Sequence, residues 1–303
     1  MMAPDIALHG LKRERPEWEP WLAVIEEIVR EIAAPGWEES VPTSASLGAE
    51  PPGAKAAAQI ERPLLAGATL AVQTSSVRRL FKRLTRIASR SGTPNIATLD
   101  RALDADLDVL TLFNASLCQD SGRVEAVAAA RGADVGALQA VTALVPLPLL
   151  HACSKRLAPS ISESWVEGYC PVCGSWPAFA EVRGIERSRV FRCSRCGGAW
   201  HARLLSCPYC TEARHDALVS LVPENGGAQG VIDACGRCHG YVKAFTRLQG
   251  CDPVAVMLED LASVHFDVAA LEQGYTRPSG AGYPLDVTVT DKGATRRFFA
   301  WKT

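Results

Sequence analysis

Eight of the chain's eleven cysteines fall between residues 165 and 246, in four copies of one device: Cys170-Pro171-Val172-Cys173, Cys193-Ser194-Arg195-Cys196, Cys207-Pro208-Tyr209-Cys210 and Cys235-Gly236-Arg237-Cys238. A C-x-x-C turn aims two sulfurs at one point. Two such turns supply the four thiolates of a tetrahedral site, with metal–sulfur bonds of about 2.3 Å. Eight cysteines therefore predict two four-thiolate metal ions, iron or zinc, because tetrahedral sulfur suits both. Nineteen residues separate the first two turns and twenty-four the last two, intervals that fit a few strands returning to their start. The expected pairing is Cys170/Cys173 with Cys193/Cys196, and Cys207/Cys210 with Cys235/Cys238; the alternative is a cross-brace of first turn with third. Gly174, Gly197 and Gly240 follow three of the turns. A glycine there can take φ > 0, so that backbone N–H groups point at the sulfurs.

Other uses of these cysteines fit less well. Disulfides belong to oxidising compartments, and residues Met1 to Pro20 carry many charges and no apolar run of the secretory kind. Independent redox C-x-x-C motifs would each want a thioredoxin-like βαβ setting, which the pattern lacks. Cys235-Gly236-Arg237-Cys238-His239 matches the c-type haem attachment pattern, but haem attachment needs export and the three sister turns lack the histidine. Cys118, Cys153 and Cys251 have no C-x-x-C partner and read as small buried hydrophobes.

The elements that must position the turns divide the 303 residues into an α+β chain. The expected domains are an all-α helical domain over 1–160, a four-cysteine module over 165–206, a second over 207–250, a C-terminal helix over 252–277 and a tail over 278–303. Each module would be a small rubredoxin-like or zinc-ribbon-like sheet whose metal supplies much of its folding energy. Helical spacing recurs over 17–34, 56–72, 74–91, 95–117, 121–131 and 135–157, and residues 40–55 read as a loop. From Pro177 the period changes to two, with strands expected at 178–183, 188–193, 199–204, 216–221, 229–234 and 240–246. Asp252-Pro253 opens the last helix as N-cap and first residue. The tail carries one strand-like run, Asp286–Thr290, with no assigned place.

Composition narrows the function. A net charge of −1 gives no global field that recruits nucleic acid or anionic membrane. The most apolar segment, Ala143–Leu150, is short and interrupted by prolines, so no membrane insertion is expected. No G-x-S-x-G, P-loop, H-E-x-x-H or G-x-G-x-x-G occurs. Closed four-thiolate sites leave no position for substrate. A non-enzymatic, cytoplasmic protein is expected: a protein-binding accessory factor, a nucleic-acid-binding zinc ribbon, or a one-electron carrier. Two places are candidates for partner contact. Arg79, Lys82, Arg83 and Arg86 share one helix face, which is either a docking surface for an acidic partner or, by preference, a solvated face. Trp200 and His201 lie between knuckles, on a sheet surface or a partner contact.

The stretch Glu167-Gly168-Tyr169-Cys170-Pro171-Val172-Cys173-Gly174-Ser175-Trp176-Pro177 resembles the metal region of formate dehydrogenase accessory proteins, the FdhE family. So do Arg192 to His201 leading to Cys207-Pro208-Tyr209-Cys210, and Cys235 to Lys243. Asp260-Leu261-Ala262-Ser263, Asp267, Gly274-Tyr275 and Arg277 complete the resemblance, which is specific over about 165–277 and architectural before it. It implies a cytoplasmic, non-catalytic factor that binds the catalytic subunit of formate dehydrogenase before export, with iron in rubredoxin-like sites.

Overall fold

The computed structural model describes residues 4–43, 47, 61–92, 95–102, 107–201, 203–223 and 230–293. Much of the expected loop over 40–55, the start of the expected helix at 56–72, and residues 294–303 lie outside these. The N-terminal elements are α1 (Pro4–Glu14), α2 (Glu19–Ala33), β1 (Thr69–Val72), α3 (Thr74–Arg90), α4 (Ala97–Ala102), α5 (Val109–Leu117), α6 (Ser121–Arg131), α7 (Val135–Leu144) and α8 (Leu147–Leu157). Then come β2 (Pro177–Arg183), β3 (Ser188–Cys193), β4 (Ala199–His201), β5 (Leu218–Leu221), β6 (Gly230–Cys235), β7 (Tyr241–Arg247), α9 (Val256–Ala262), α10 (Val264–Glu272) and β8 (Thr288–Asp291). The architecture is mixed helix and sheet, in two units. A mainly helical unit comprises Gly10–Lys55, Leu65–Arg156 and Pro284–Thr303; a sheet-bearing unit comprises Leu157–Tyr283 with Met1–His9 and Ala56–Leu64.

In the helical unit, α3 shows why the period is legible. Val77, Leu80, Phe81, Leu84, Thr85 and Ala88 are buried at helical spacing, and the basic residues take the opposite face. Aspartates start three helices: Asp108, Asp120 and Asp134 each accept backbone N–H bonds in the first turn of α5, α6 and α7. Gly132 ends α6 in the left-handed conformation at φ 63°. The run expected at 135–157 is two helices, because Pro146 and Pro148 interrupt the ladder. By length and composition alone, Val135–Ser160 is long and apolar enough to cross a membrane, which corrects the expectation that no stretch is. Its Leu138, Val141, Val145, Leu149 and Leu150 are buried in the fold, as in a core helix pair.

Two expectations for this unit need correction. The helix expected to run to residue 72 is instead turns followed by β1, whose Leu70 and Val72 point inward. β1 pairs parallel with β8, Thr69 opposite Thr288 and Val72 opposite Asp291, so part of the tail completes the helical unit. Asp286 accepts from the Gly67 backbone N–H and the Asn114 side chain donates to the Val287 carbonyl. β1 is too short to leave a periodic trace, whereas β8 overlaps the strand-like run expected at Asp286–Thr290, and its pairing with β1 gives that run its place.

In the sheet-bearing unit the strands fall close to where alternation placed them, but they do not form two sheets. They form one, in the order β4-β3-β2-β7-β6-β5. Each half is an antiparallel three-stranded meander, and β2 and β7 join the halves in parallel, Phe179 opposite Lys243 through Arg183 opposite Arg247. Joining satisfies two strand edges that separate modules would leave open. The helix expected over 252–277 is α9 and α10, broken at Ser263. Asp252 and Pro253 are not its cap and first residue: α9 begins at Val256 with Ala255 at the N-cap and no side-chain cap, and Asp252 closes the preceding turn, accepting from the Val254 N–H at 2.8 Å. Val256, Phe266 and Ala270 pack on Phe179, Ile232, Tyr241 and Phe245 to make the core on that face of the sheet.

Candidate metal centres

The four C-x-x-C turns share one backbone. In each, the first cysteine's N–H donates to the carbonyl five residues on: Cys170 to Ser175, Cys193 to Gly198, Cys207 to Glu212 and Cys235 to Gly240, all at 2.8–2.9 Å. In each, the residue after the second cysteine is left-handed: Gly174 at φ 69°, Gly197 at 65°, Thr211 at 59° and His239 at 55°. The expectation for Gly240 is thus one residue out of register, since His239 takes that conformation. Gly240 is required for another reason: a Cβ there would lie 2.5 Å from the Tyr209 ring. Two of the four turns therefore hold a non-glycine residue at a position costing about 1–3 kcal/mol, and both belong to the second pair.

The turns bring the sulfurs together in the sequential pairing. Cys170, Cys173, Cys193 and Cys196 form one group and Cys207, Cys210, Cys235 and Cys238 another, with the sulfurs of each within 4.8 Å of one another. Cys170 Sγ is 3.6 Å from Cys196 Sγ and Cys173 Sγ is 3.4 Å from Cys193 Sγ; the matching pairs in the second group are 3.6 Å and 3.7 Å apart. Four sulfurs at about 2.3 Å from a tetrahedral ion would sit about 3.8 Å apart, whereas disulfide sulfurs lie about 2.05 Å apart. The donor sets fit a closed four-sulfur metal site. Backbone N–H groups of Val172, Arg195, Cys196 and Gly240 point at sulfurs at 3.4 Å, as the charge of bound thiolates requires.

Burial explains why a cation is needed. All four cysteines of the first group are buried, and burial pushes the Cys170 and Cys193 thiols well up, while hydrogen bonds from Cys170, Cys193 and Cys196 hold Cys173 low. Four thiolates cannot share a dry site without a metal. In the second group Cys207 and Cys235 are buried, Cys210 is half-buried and Cys238 is exposed. With zinc in both groups, a chelator is expected to remove one ion per chain several-fold faster than the other. The fast ion should be the one missing from a Cys207→Ser/Cys210→Ser variant; equal release rates would contradict this assignment.

The two groups are packed together. The Trp176 ring meets the Tyr209 ring edge-on at 5.1 Å, and Tyr169 lies 6.4 Å from Trp176. A Cβ on Gly168 would fall 1.8 Å from the Pro208 carbonyl oxygen, so only glycine lets the segment before Cys170 pass under the third turn.

A polar network beneath the second group is absent from the sequence-based expectations. Lys243 is fully buried in β7, and its Nζ donates to Asp260 Oδ1 at 2.7 Å and Asp267 Oδ2 at 2.9 Å. Arg277 spans the same two carboxylates, and the Tyr241 hydroxyl donates to Asp267 Oδ1 at 2.6 Å. Tyr209, inside the third turn, donates to the Tyr241 carbonyl, and the His239 carbonyl accepts from Thr276 N–H. α9, α10 and Arg277 are thereby tied to both turns of the second group. The signal for this was a lysine inside an otherwise apolar strand that is buried on both faces. Lys243, Asp260, Asp267 and Arg277 also lie within the stretches that carry the family resemblance.

The residues expected at a partner surface are scattered. Trp200 is buried and its Nε1 donates to the Glu167 carbonyl, so it is a packing residue. His201 is exposed on the edge strand β4. Arg83 is engaged by Glu27 and Glu31 of α2, whereas Arg79, Lys82 and Arg86 are exposed on α3. Of the arginines of the metal region, Arg183 is paired with Glu181, Arg189 is paired with Asp233 and Arg192 is buried.

No family model matches the chain. Proteins named FdhE are similar to part of it. The FdhE homologue of Pseudomonas aeruginosa is 34% identical over 116 residues, 36% of this chain and 37% of that one. The Aquifex aeolicus homologue is 34% identical over 119 residues, 38% and 41% of the two chains. The FdhE protein of Salmonella choleraesuis is 33% identical over 114 residues, 37% and 36%. The matches thus span about two fifths of those relatives' lengths. The crystal structure of the FdhE protein from P. aeruginosa aligns with 70% of this chain and 94% of its own at 22% identity. Its TM-score of 0.36 is too low to argue a shared fold.

Proposed function

We propose that this chain is a non-catalytic accessory factor of the FdhE kind, which binds the catalytic subunit of a formate dehydrogenase in the cytoplasm before that subunit is exported. The observation that carries this reading is the pair of closed four-sulfur clusters built into one sheet. Every ligand position is filled by protein, so the clusters suit holding a shape and leave no room for substrate. The similarity to proteins named FdhE supplies the client class.

Cys170, Cys173, Cys193 and Cys196 hold one ion in this reading, and Cys207, Cys210, Cys235 and Cys238 the other. Bound metal supplies a cross-link at the strand ends, and iron would add a one-electron couple. The chain's own residues do the rest. The N–H groups offset thiolate charge, Trp176 and Tyr209 pack the two clusters together, and the Lys243–Asp267–Arg277 network fixes the helices on the sheet. Loading releases protons from buried thiols, so metal affinity rises with pH.

The test is co-purification of the tagged, metal-loaded chain with the host's formate dehydrogenase catalytic subunit, together with formate dehydrogenase activity in a strain lacking the chain. The subunit is expected to co-purify with the intact chain and to be lost with Cys170→Ser/Cys173→Ser. Full activity in the deleted strain, or capture unaffected by that double substitution, would contradict the reading.

A further inference from the structure

The face of the sheet turned away from α9 and α10 is hollow beside the second cluster. Val231 and Ala244 alternate with the helix-facing Ile232 and Phe245, and their small side chains floor a cavity of about 500 Å³. Leu204 and Leu205 form its rim, 62% and 76% exposed. Val219 and Val222 of the neighbouring segment are exposed as well. Leucines left in water contribute nothing to folding, and clusters of them mark contact sites.

Three further observations describe what fits. Leu205 at φ 51° and Arg187 at φ 52°, both lining the cavity, are left-handed non-glycine residues, a conformation costing about 1–3 kcal/mol that recurs at ligand clamps. β5 ends the sheet, and among the described residues no strand pairs with its outer edge. The lining charge is positive: Arg189 is neutralised by Asp233 at 3.0 Å, while Arg187 has no ion pair among the described residues.

We propose that this cleft docks an extended segment of another polypeptide, apolar at alternate positions, with a carboxylate against Arg187 and its backbone along β5. Strand addition supplies backbone hydrogen bonds, and the hollow selects the side chains. The accessory reading gives the segment's owner, the client, and the contact chemistry is independent of it. A second copy of this chain suits the cleft poorly, since meeting edge to edge across β5 would set two cationic rims together.

The probe is a short synthetic peptide alternating valine and threonine around a central glutamate, with a lysine counterpart, titrated against the full metal-loaded chain. The glutamate peptide should bind at least about tenfold more tightly. Arg187→Glu should reverse the preference. Leu205→Asp should weaken both peptides by about tenfold or more, and aspartate tolerates the left-handed backbone, so the loop keeps its shape. Metal content and circular dichroism verify that both variants fold. Equal binding of the two peptides, insensitivity to both substitutions, or a dimer that Leu205→Asp dissolves would overturn the proposal. Discriminating peptide binding without co-purification of the subunit would leave the cleft standing and sink the accessory reading. Co-purification that ignores both substitutions would do the reverse.

Discussion

Replacing Cys170 and Cys173 by serine is expected to remove one metal ion per chain and to unfold the sheet-bearing unit as a whole. Structural zinc sites supply about 10–16 kcal/mol of apparent binding energy, while an entire domain is stable by about 5–15 kcal/mol. The loss cannot stay local. The first cluster holds the ends of β2 and β3, β2 pairs with β7, and β7 leads out of the second cluster. Trp176 and Gly168 press directly on the third turn. Elemental analysis should show the metal content halved or lower, and the sheet unit's thermal transition should be lost. Retention of both ions with an unchanged transition would refute the part assigned to these sulfurs.

The second large effect concerns the buried network. Asp267→Ala should destabilise the sheet-bearing unit by about 2 kcal/mol or more, because a half-buried charged acceptor of three side-chain donors, Tyr241, Lys243 and Arg277, is removed. Lys243 keeps Asp260, but Arg277 and the Tyr241 hydroxyl both lose an acceptor. A Lys243→Met/Asp267→Leu variant should lose less than the sum of its singles, since no half-pair is left. The network also sets a pH dependence. Burial pushes Asp267 up, yet the Tyr241 bond and the charges of Arg277 and Lys243 outweigh it and hold the carboxyl below its ordinary 3.8. Its stabilisation is therefore complete above about pH 4 and fades as pH falls through the lowered value. Urea melts of the wild type and Asp267→Ala across acid pH should converge at the low end; a gap that stays constant would count against the pairing.

These expectations show what a sequence exposes and what it hides. The eight cysteines and their pairing are legible because a C-x-x-C turn is a local device whose geometry travels with it. The strands from Pro177 onward are legible because short apolar runs lie between turn residues; β4 and β6 also alternate in burial, while β2 and β7 are buried on both faces. The joining of two modules through β2 and β7 is not, because parallel pairing between segments this far apart leaves no mark in either one. β1 is too short to show a period, and β8 shows as the strand-like run Asp286–Thr290 without any mark of its distant partner. Trp200 sits beside the exposed His201 in sequence, but alternation turns it inward to the Glu167 carbonyl. Lys243 was visible as a charge in an apolar strand, yet its partners lie on helices that only the fold brings over it.

The account rests on two closed clusters, and one measurement reaches that point directly: the metal-to-protein ratio of the chain purified without added metal, by elemental analysis. The account predicts two ions per chain, zinc and iron taken together, as the two groups of four sulfurs require. Red colour with thiolate-to-iron absorption would identify iron as the occupant. Less than one ion per chain, with the sheet-bearing unit still folded, would contradict it.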